Sequence, residues 1–185
     1  MNLTLPNLLT LFRIALIPVL VIVFYLPFQW THLAAVVVFV LAALTDWADG
    51  WVARRYSQYS EFGAFLDPVA DKLMVSTALF LIVQKDPTVY MALTSAVIVG
   101  REIAISALRE WMSAIGHSGR VKVAWIGKIK TIVQMVAISL LLYREPLHSL
   151  PIYLLGEVLI GIAAGLTLWS GLGYLKAAWP AMRGR

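Results

Sequence analysis

Long apolar runs separated by short polar breaks are the feature that most limits what this chain can become. The run from Ile14 to Phe28 leads straight into a second, and four more follow. A membrane-spanning helix takes ~20 predominantly apolar residues. On that measure the pattern predicts helices at 7–27, 32–54, 68–84, 89–112, 123–143 and 152–176. Turn and cap residues fall in the gaps: Pro27 with Thr31, Asp86-Pro87-Thr88, Gly116-His117-Ser118-Gly119, and Glu145-Pro146 followed by Pro151. The expected fold class is therefore all-α, a polytopic membrane protein of six transmembrane helices. Six spans use about two thirds of the 185 residues, so residues 1–185 are expected to form a single membrane domain without a sizeable extramembrane part. Composition agrees: 61% of residues are apolar and 14% charged, against roughly 45–50% and 25% in soluble domains. The first run lacks a basic n-region and a small-residue cleavage site, so it is expected to be a retained helix.

Orientation follows from the loop cations. Arg54, Arg55, Arg120, Lys122, Arg183 and Arg185 fall on one side, Lys85 and Arg144 on the other. Six against two places both termini in the cytoplasm. The formal net charge of +5 fits anchoring to anionic lipid and an anionic substrate, with no nucleic-acid partner expected. Cysteine is absent, which excludes disulfides, thiolate catalysis, iron–sulfur clusters and Cys-based zinc sites. Any metal must be held by oxygen or imidazole.

Sorted by depth, the ionisable residues share one layer. Asp46 and Asp49 sit near the cytoplasmic end of the second helix, and Asp67 and Asp71 at the start of the third. Arg101 and Arg109 lie in the cytoplasmic half of the fourth, Lys128 and Lys130 at the start of the fifth, and Arg13 low in the first. Such groups cost ~2.5–3.5 kcal/mol each at the bilayer centre on insertion scales and normally face the bundle or a water-filled cavity. One polar cavity open to the cytoplasm accounts for all of them.

Four aspartates lie within 26 positions, in Asp46-Trp-Ala-Asp49-Gly50-Trp-Val-Ala53-Arg54 and, eight residues on, Gly63-Ala-Phe-Leu-Asp67-Pro-Val-Ala-Asp71. Asp46 and Asp49 are i, i+3 and Asp67 and Asp71 are i, i+4, so each pair shares a helix face. Four converging carboxylates in a low-dielectric layer would repel unless cations sat between them. An oxygen-only, highly anionic set suits Mg²⁺ or Mn²⁺, and four carboxylates neutralise two divalent ions. Two such ions can clamp a diphosphate for in-line displacement at phosphorus. Gly50 and Ala53 keep the carboxylate face bare where a phosphate would approach, and Gly63 does the same on the facing helix. Arg54 supplies a planar fork suited to a phosphate oxygen.

The spacing D-x-x-D-G-x-x-A-R, eight residues, G-x-x-x-D-x-x-x-D is matched at every position, and in this the chain resembles the CDP-alcohol phosphatidyltransferase family. Leu5-Pro6-Asn7 through Arg13, Arg101-Glu102-Ile103 through Trp111, and Trp125-Ile126-Gly127-Lys128-Ile129-Lys130-Thr131 are similar to the bacterial branch that makes phosphatidylglycerophosphate. The resemblance implies an enzyme of the bacterial inner membrane, usually a homodimer. Its activity would be transfer of the phosphatidyl group of CDP-diacylglycerol to sn-glycerol 3-phosphate with release of CMP, a step of phospholipid biosynthesis. It implies that Asp46, Asp49, Asp67 and Asp71 bind the metals, with Asp71 doubling as catalytic base. Gly50, Ala53, Arg54 and Gly63 would line the donor site.

The family signature does not cover the acceptor. A phosphate dianion wants fixed cations near the metal centre, and Arg101, Arg109 and Lys128 are the candidates. Arg101 and Arg109 are eight apart on one helix, about 80° from alignment, so both can border one cavity. Each could instead snorkel toward lipid phosphate. Asn7, Thr10 and Arg13 step by three along the first helix and either form a polar edge for the donor's cytidine or cap and anchor that helix. His32, His117 and His148 fall in loops and receive no role. Within the family, serine or inositol phosphate is the alternative acceptor. From another class, a cation or proton transporter would also carry intramembrane aspartates. One-sided charge and the lack of two matching Gly/Pro-interrupted halves argue against it.

Overall fold

The computed structural model describes residues 5–56, 61–116, 125–146 and 150–182. Among them the chain forms six helices and no strand: α1 (Leu5–Tyr25), α2 (Thr31–Tyr56), α3 (Glu61–Lys85), α4 (Val89–Ala114), α5 (Trp125–Tyr143) and α6 (Ile152–Met182). All six expected helices are present. Four contain a stretch long and apolar enough to cross a membrane, namely Asn7–Tyr25, Thr31–Ala48, Val89–Ala114 and Ile152–Met182. In α3 the apolar stretch is confined to residues 73–84, after Asp67, Asp71 and Lys72, and in α5 to Ile129–Tyr143.

The main departure from the expected boundaries is at α3, which starts at Glu61 and not at 68. Pro68 reads as a helix start because proline suits the first turn, yet here it lies inside the helix, where its ring removes only one amide donor. An apolar run reports the part of a helix that lipid covers. Up to residue 72 of α3, Glu61, Gly63, Asp67, Asp71 and Lys72 interrupt the apolar residues, so no continuous run marks this part. α6 likewise continues past Lys176, which interrupts its apolar run, through Pro180 to Met182.

Short connections make sequential helices antiparallel, and packing follows. α1 packs on α2 and α3, α4 on α3 and α6, and α5 on α2 and α6. The core between them is built from Leu16, Leu20, Phe39, Leu79, Ile82, Ile98, Ile138, Leu141 and Ile160. The outer surface is equally apolar, with Phe12, Ile22, Leu33, Trp47, Phe80, Ile132 and Leu168 exposed. No aqueous surface carries apolar area on that scale without associating; hydrocarbon is the solvent that this surface fits. Trp30 is exposed at one end of the bundle, and Trp111 and Trp179 at the other, as an interfacial belt requires.

The end that holds the α1–α2, α3–α4 and α5–α6 connections is tied by side chains. Tyr25 donates to Gln84 Oε1 at 2.7 Å, Tyr153 to Asp86 Oδ2 at 2.6 Å, and His32 Nδ1 lies 3.3 Å from Glu145. The Arg144 guanidinium sits 5.3 Å from the Tyr153 ring centre. His117 and His148 lie outside the described residues.

Close approach between helices is set by two glycines of α6. A methyl group at Gly156 would come within 2.9 Å of the Leu141 side chain and 3.2 Å of its backbone nitrogen. At Gly161 it would meet the Tyr90 hydroxyl at 2.2 Å, which donates to the Glu157 carbonyl at 2.7 Å. Gly161→Ala is therefore expected to displace Tyr90 and cost about 1 kcal/mol. Gly165→Ala, which meets nothing within 4 Å, should be neutral or mildly stabilising. Unfolding midpoints of the two variants in detergent check this, and an equal effect at both positions would refute it.

Candidate functional site

The opposite end of the bundle gathers the polar residues. Asp46 and Asp49 lie on α2, and Asp67 and Asp71 on α3, each pair within one continuous helix. The sequence spacing is thus realised as two helix faces on packed neighbours. Asp46 is gripped from α1: Arg13 Nη1 lies 2.8 Å from its Oδ1, and Arg13 is 1% exposed. Asp67 accepts a hydrogen bond from the fully buried Thr10 hydroxyl of α1. Asn7 is buried as well. The three-residue step of Asn7, Thr10 and Arg13 is therefore an inward face of α1, which sets aside the reading of simple anchoring at the membrane surface.

The side chains of Asp49, Gly50, Ala53 and Arg54 lie outside the described residues, although their backbone belongs to α2. Gly63 is buried on α3. Among the described residues no three His, Cys, Asp or Glu side chains converge as a metal-ligand set, and the fourth member of the quartet, Asp49, is not among them. What is described fits a hard divalent ion in kind. The donors are carboxylate oxygens, with Arg13 and Thr10 each occupying one oxygen of a carboxylate. Such outer contacts orient metal ligands.

A cavity of about 270 Å³ lies beside this quartet, and Asp71, Lys72, Arg101, Glu102, Arg109 and Lys130 line it. Asp71, Arg101 and Arg109, singled out in the sequence on separate grounds, thus share one space. The charges acting on Asp71 come from both sides, Asp46 and Glu102 negative, Arg13 and Lys72 positive. Arg101 is held in place by α6: its Nη2 donates to Ser170 Oγ at 2.7 Å, and its guanidinium lies 5.5 Å from the Tyr174 ring centre. The Ser170 hydroxyl in turn donates to the Thr167 carbonyl at 3.1 Å. These fixed contacts argue against a snorkelling role for Arg101. Arg109 is exposed but borders the same cavity. The Lys128 side chain lies outside the described residues.

Five contributors, Lys130, Glu102, Gln134, Ser170 and Tyr174, were not singled out for the site from the sequence. Lys130, 4% exposed, pairs with Glu102 Oε1 at 2.7 Å, and Gln134 Nε2 donates to the same oxygen at 3.2 Å. Lys130 was visible in the charged layer but passed over for Lys128. Positions two apart on a helix point about 200° apart, so the two lysines stand on different faces of α5, and which of them meets Glu102 is not written in the sequence. Glu102 was legible only as the neighbour of Arg101. Ser170 and Tyr174 sit in an apolar helix and gave no signal.

The sequence also matches known proteins. Residues 3–169 match the family model described as CDP-alcohol phosphatidyltransferase. The chain is 51% identical over 181 residues to the CDP-diacylglycerol--glycerol-3-phosphate 3-phosphatidyltransferase of Pseudomonas fluorescens, covering 96% of this chain and 91% of that protein. It is 50% identical over 178 residues to proteins of the same name from Salmonella choleraesuis (strain SC-B67) and Shigella flexneri, with 96% of each chain covered.

Thr10→Val keeps the shape of a buried side chain and removes the donor to Asp67. It is expected to lower unfolding free energy by about 1 kcal/mol, measured by denaturant unfolding in detergent micelles. No change would mean that the hydrogen bond contributes nothing to holding α1 against α3.

Proposed function

The chain belongs to the CDP-alcohol phosphatidyltransferase family, and from that premise we propose that it transfers the phosphatidyl group of CDP-diacylglycerol to sn-glycerol 3-phosphate, giving phosphatidylglycerophosphate and CMP. The relatives that carry this activity in their name span almost the whole chain. The observation that carries the reading is the shared cavity of Asp71, Arg101 and Arg109. It offers a proton acceptor and fixed cations within one space, which is what a phosphorylated alcohol needs in order to be both held and deprotonated.

Asp71 is assigned as the base. The acceptor hydroxyl has a far higher pKa than a carboxylate, so Asp71 accepts the proton only as the new bond to phosphorus forms. CMP leaves from the opposite side of that phosphorus. Arg101, held by Ser170 and Tyr174, and Arg109 hold the acceptor phosphate. Lys128 is proposed to join them. Gly50, Ala53, Arg54 and Gly63, with Asn7 and Thr10, line the donor side. Asp46, Asp49, Asp67 and Asp71 would hold Mg²⁺ or Mn²⁺, two ions on the charge count, and the metal would neutralise charge on the donor diphosphate. Arg13 keeps Asp46 oriented for that task.

The same reading completes the architecture. All six helices span the inner membrane of a bacterium, the polar end of the bundle opens to the cytoplasm with both termini, and residues 1–185 act as a single domain in a homodimer. The loop cations and the apolar exterior support this orientation. Labelling single cysteines at loop positions from either side of sealed vesicles tests it.

Removal of divalent cations should abolish CMP release, with recovery on adding back Mg²⁺ or Mn²⁺. Full turnover in excess chelator would overturn the metal assignment. Asp71→Asn should keep CDP-diacylglycerol binding and lose turnover by about a hundredfold or more, whereas Asp46→Asn should weaken metal and donor binding together. Donor affinity and single-turnover rates decide between them. Near-normal turnover in Asp71→Asn would move the base elsewhere.

A further inference from the structure

We propose that Glu102 is a positioning residue that fixes Lys130 as a further phosphate-binding cation of the acceptor cavity. The inference rests on the functional reading above. Lys130 is buried, belongs to α5, and has its ammonium 2.7 Å from Glu102 of α4. Both side chains line the cavity that holds Asp71, Arg101 and Arg109.

Stability alone does not explain such a pair. Exchanging a buried ion pair for apolar residues of similar volume is often neutral or stabilising, and further along α5 the buried surface is apolar, with Ala137, Ile138, Leu141 and Leu142 fully buried. The pair instead solves a placement problem. An ammonium on a four-carbon stem has no preferred direction of its own, and Glu102 supplies one. An ammonium carries three donors. One goes to Glu102, and because Lys130 lines the cavity the others are left for a ligand there.

Glu102 is itself held. Gln134, 2% exposed, donates to the same Oε1 at 3.2 Å, so that oxygen is fixed by two donors from successive turns of α5. The lining charges then fit an anion. Four cations, Lys72, Arg101, Arg109 and Lys130, face two carboxylates, Asp71 and Glu102. The excess of two positive charges matches a phosphate monoester dianion. Glu102 thus costs the cavity one unit of charge while keeping a cation where the dianion needs it.

The test is steady-state CMP release in mixed micelles, with Michaelis constants measured separately for glycerol 3-phosphate and for CDP-diacylglycerol. Wild-type turnover with glycerol 3-phosphate comes first, and its absence overturns the functional reading on its own. Lys130→Gln should raise the acceptor constant by about tenfold and leave the donor constant within about twofold. Glu102→Gln should shift the same constant in the same direction. The double variant should be no worse than Lys130→Gln, because Glu102 acts through Lys130. Equal rises in both constants, or effects that multiply in the double variant, would make the pair a scaffold element and overturn the proposal. Should Lys130→Gln fail to fold, Gln134→Leu decides. It introduces no charge and removes one of the two anchors of Glu102, so it should raise the acceptor constant alone. An unchanged acceptor constant in that variant refutes the proposal.

Discussion

A charge inside an apolar bundle must be met by another group or it drives the structure apart, and this requirement organises the polar end of the molecule. Arg13 meets Asp46, Lys130 meets Glu102, and Arg101 meets a serine hydroxyl and an aromatic face. In each case the two partners come from different helices. The ties that satisfy buried charge are therefore also the ties that fix α1 against α2, α4 against α5, and α4 against α6. At the other end of the bundle, exposed and half-buried pairs of tyrosine, histidine, glutamine and carboxylate do a similar job nearer to water, where solvent screening makes each worth less.

The polar end divides by helix. α1 lends Arg13 and Thr10 to the aspartates of α2 and α3, while α4, α5 and α6 bring Arg101, Glu102, Arg109, Lys130, Ser170 and Tyr174 together. Asp71 stands at the join, on α3 with the aspartates and in the wall of the cavity. On the proposed assignment, α1 to α3 handle the nucleotide donor and metal, and α4 to α6 handle the alcohol. A base must touch the acceptor while being oriented by the metal-side helices, and only a residue at that join meets both conditions.

Much of this was legible before any coordinates. Apolar runs predicted six helices at nearly the observed places, because lipid solvates nothing else, and the aspartate spacing predicted two carboxylate faces. The failures share one cause. Sequence patterns report which residues prefer hydrocarbon, and fall silent where a helix extends beyond it. So the start of α3, where charged residues and a glycine interrupt the apolar ones, was missed and Pro68 was read as its first residue. Direction was equally hidden: Lys128 and Lys130 are alike in type and nearly so in depth, and only the packing of α5 on α6 and α2 turns Lys130 to Glu102. Ser170 and Tyr174 lie in a long apolar helix, where a hydroxyl or a ring reads as a lipid contact until an arginine from α4 is found against it.

That arginine also explains a detail of α6 that composition alone leaves arbitrary. Ser170 and Tyr174 are one turn apart on α6, and at Gly171 between them a methyl group would be in ordinary contact with Arg101 Cγ, at 3.4 Å. The stem of Arg101 therefore lies along α6 here, with the guanidinium at Ser170 on one side and over Tyr174 on the other. Two anchors on one helix thus settle the direction of a cation that hydrophobic packing would leave free. On the proposed assignment, α6 shapes the acceptor site by deciding where its neighbour's charge rests.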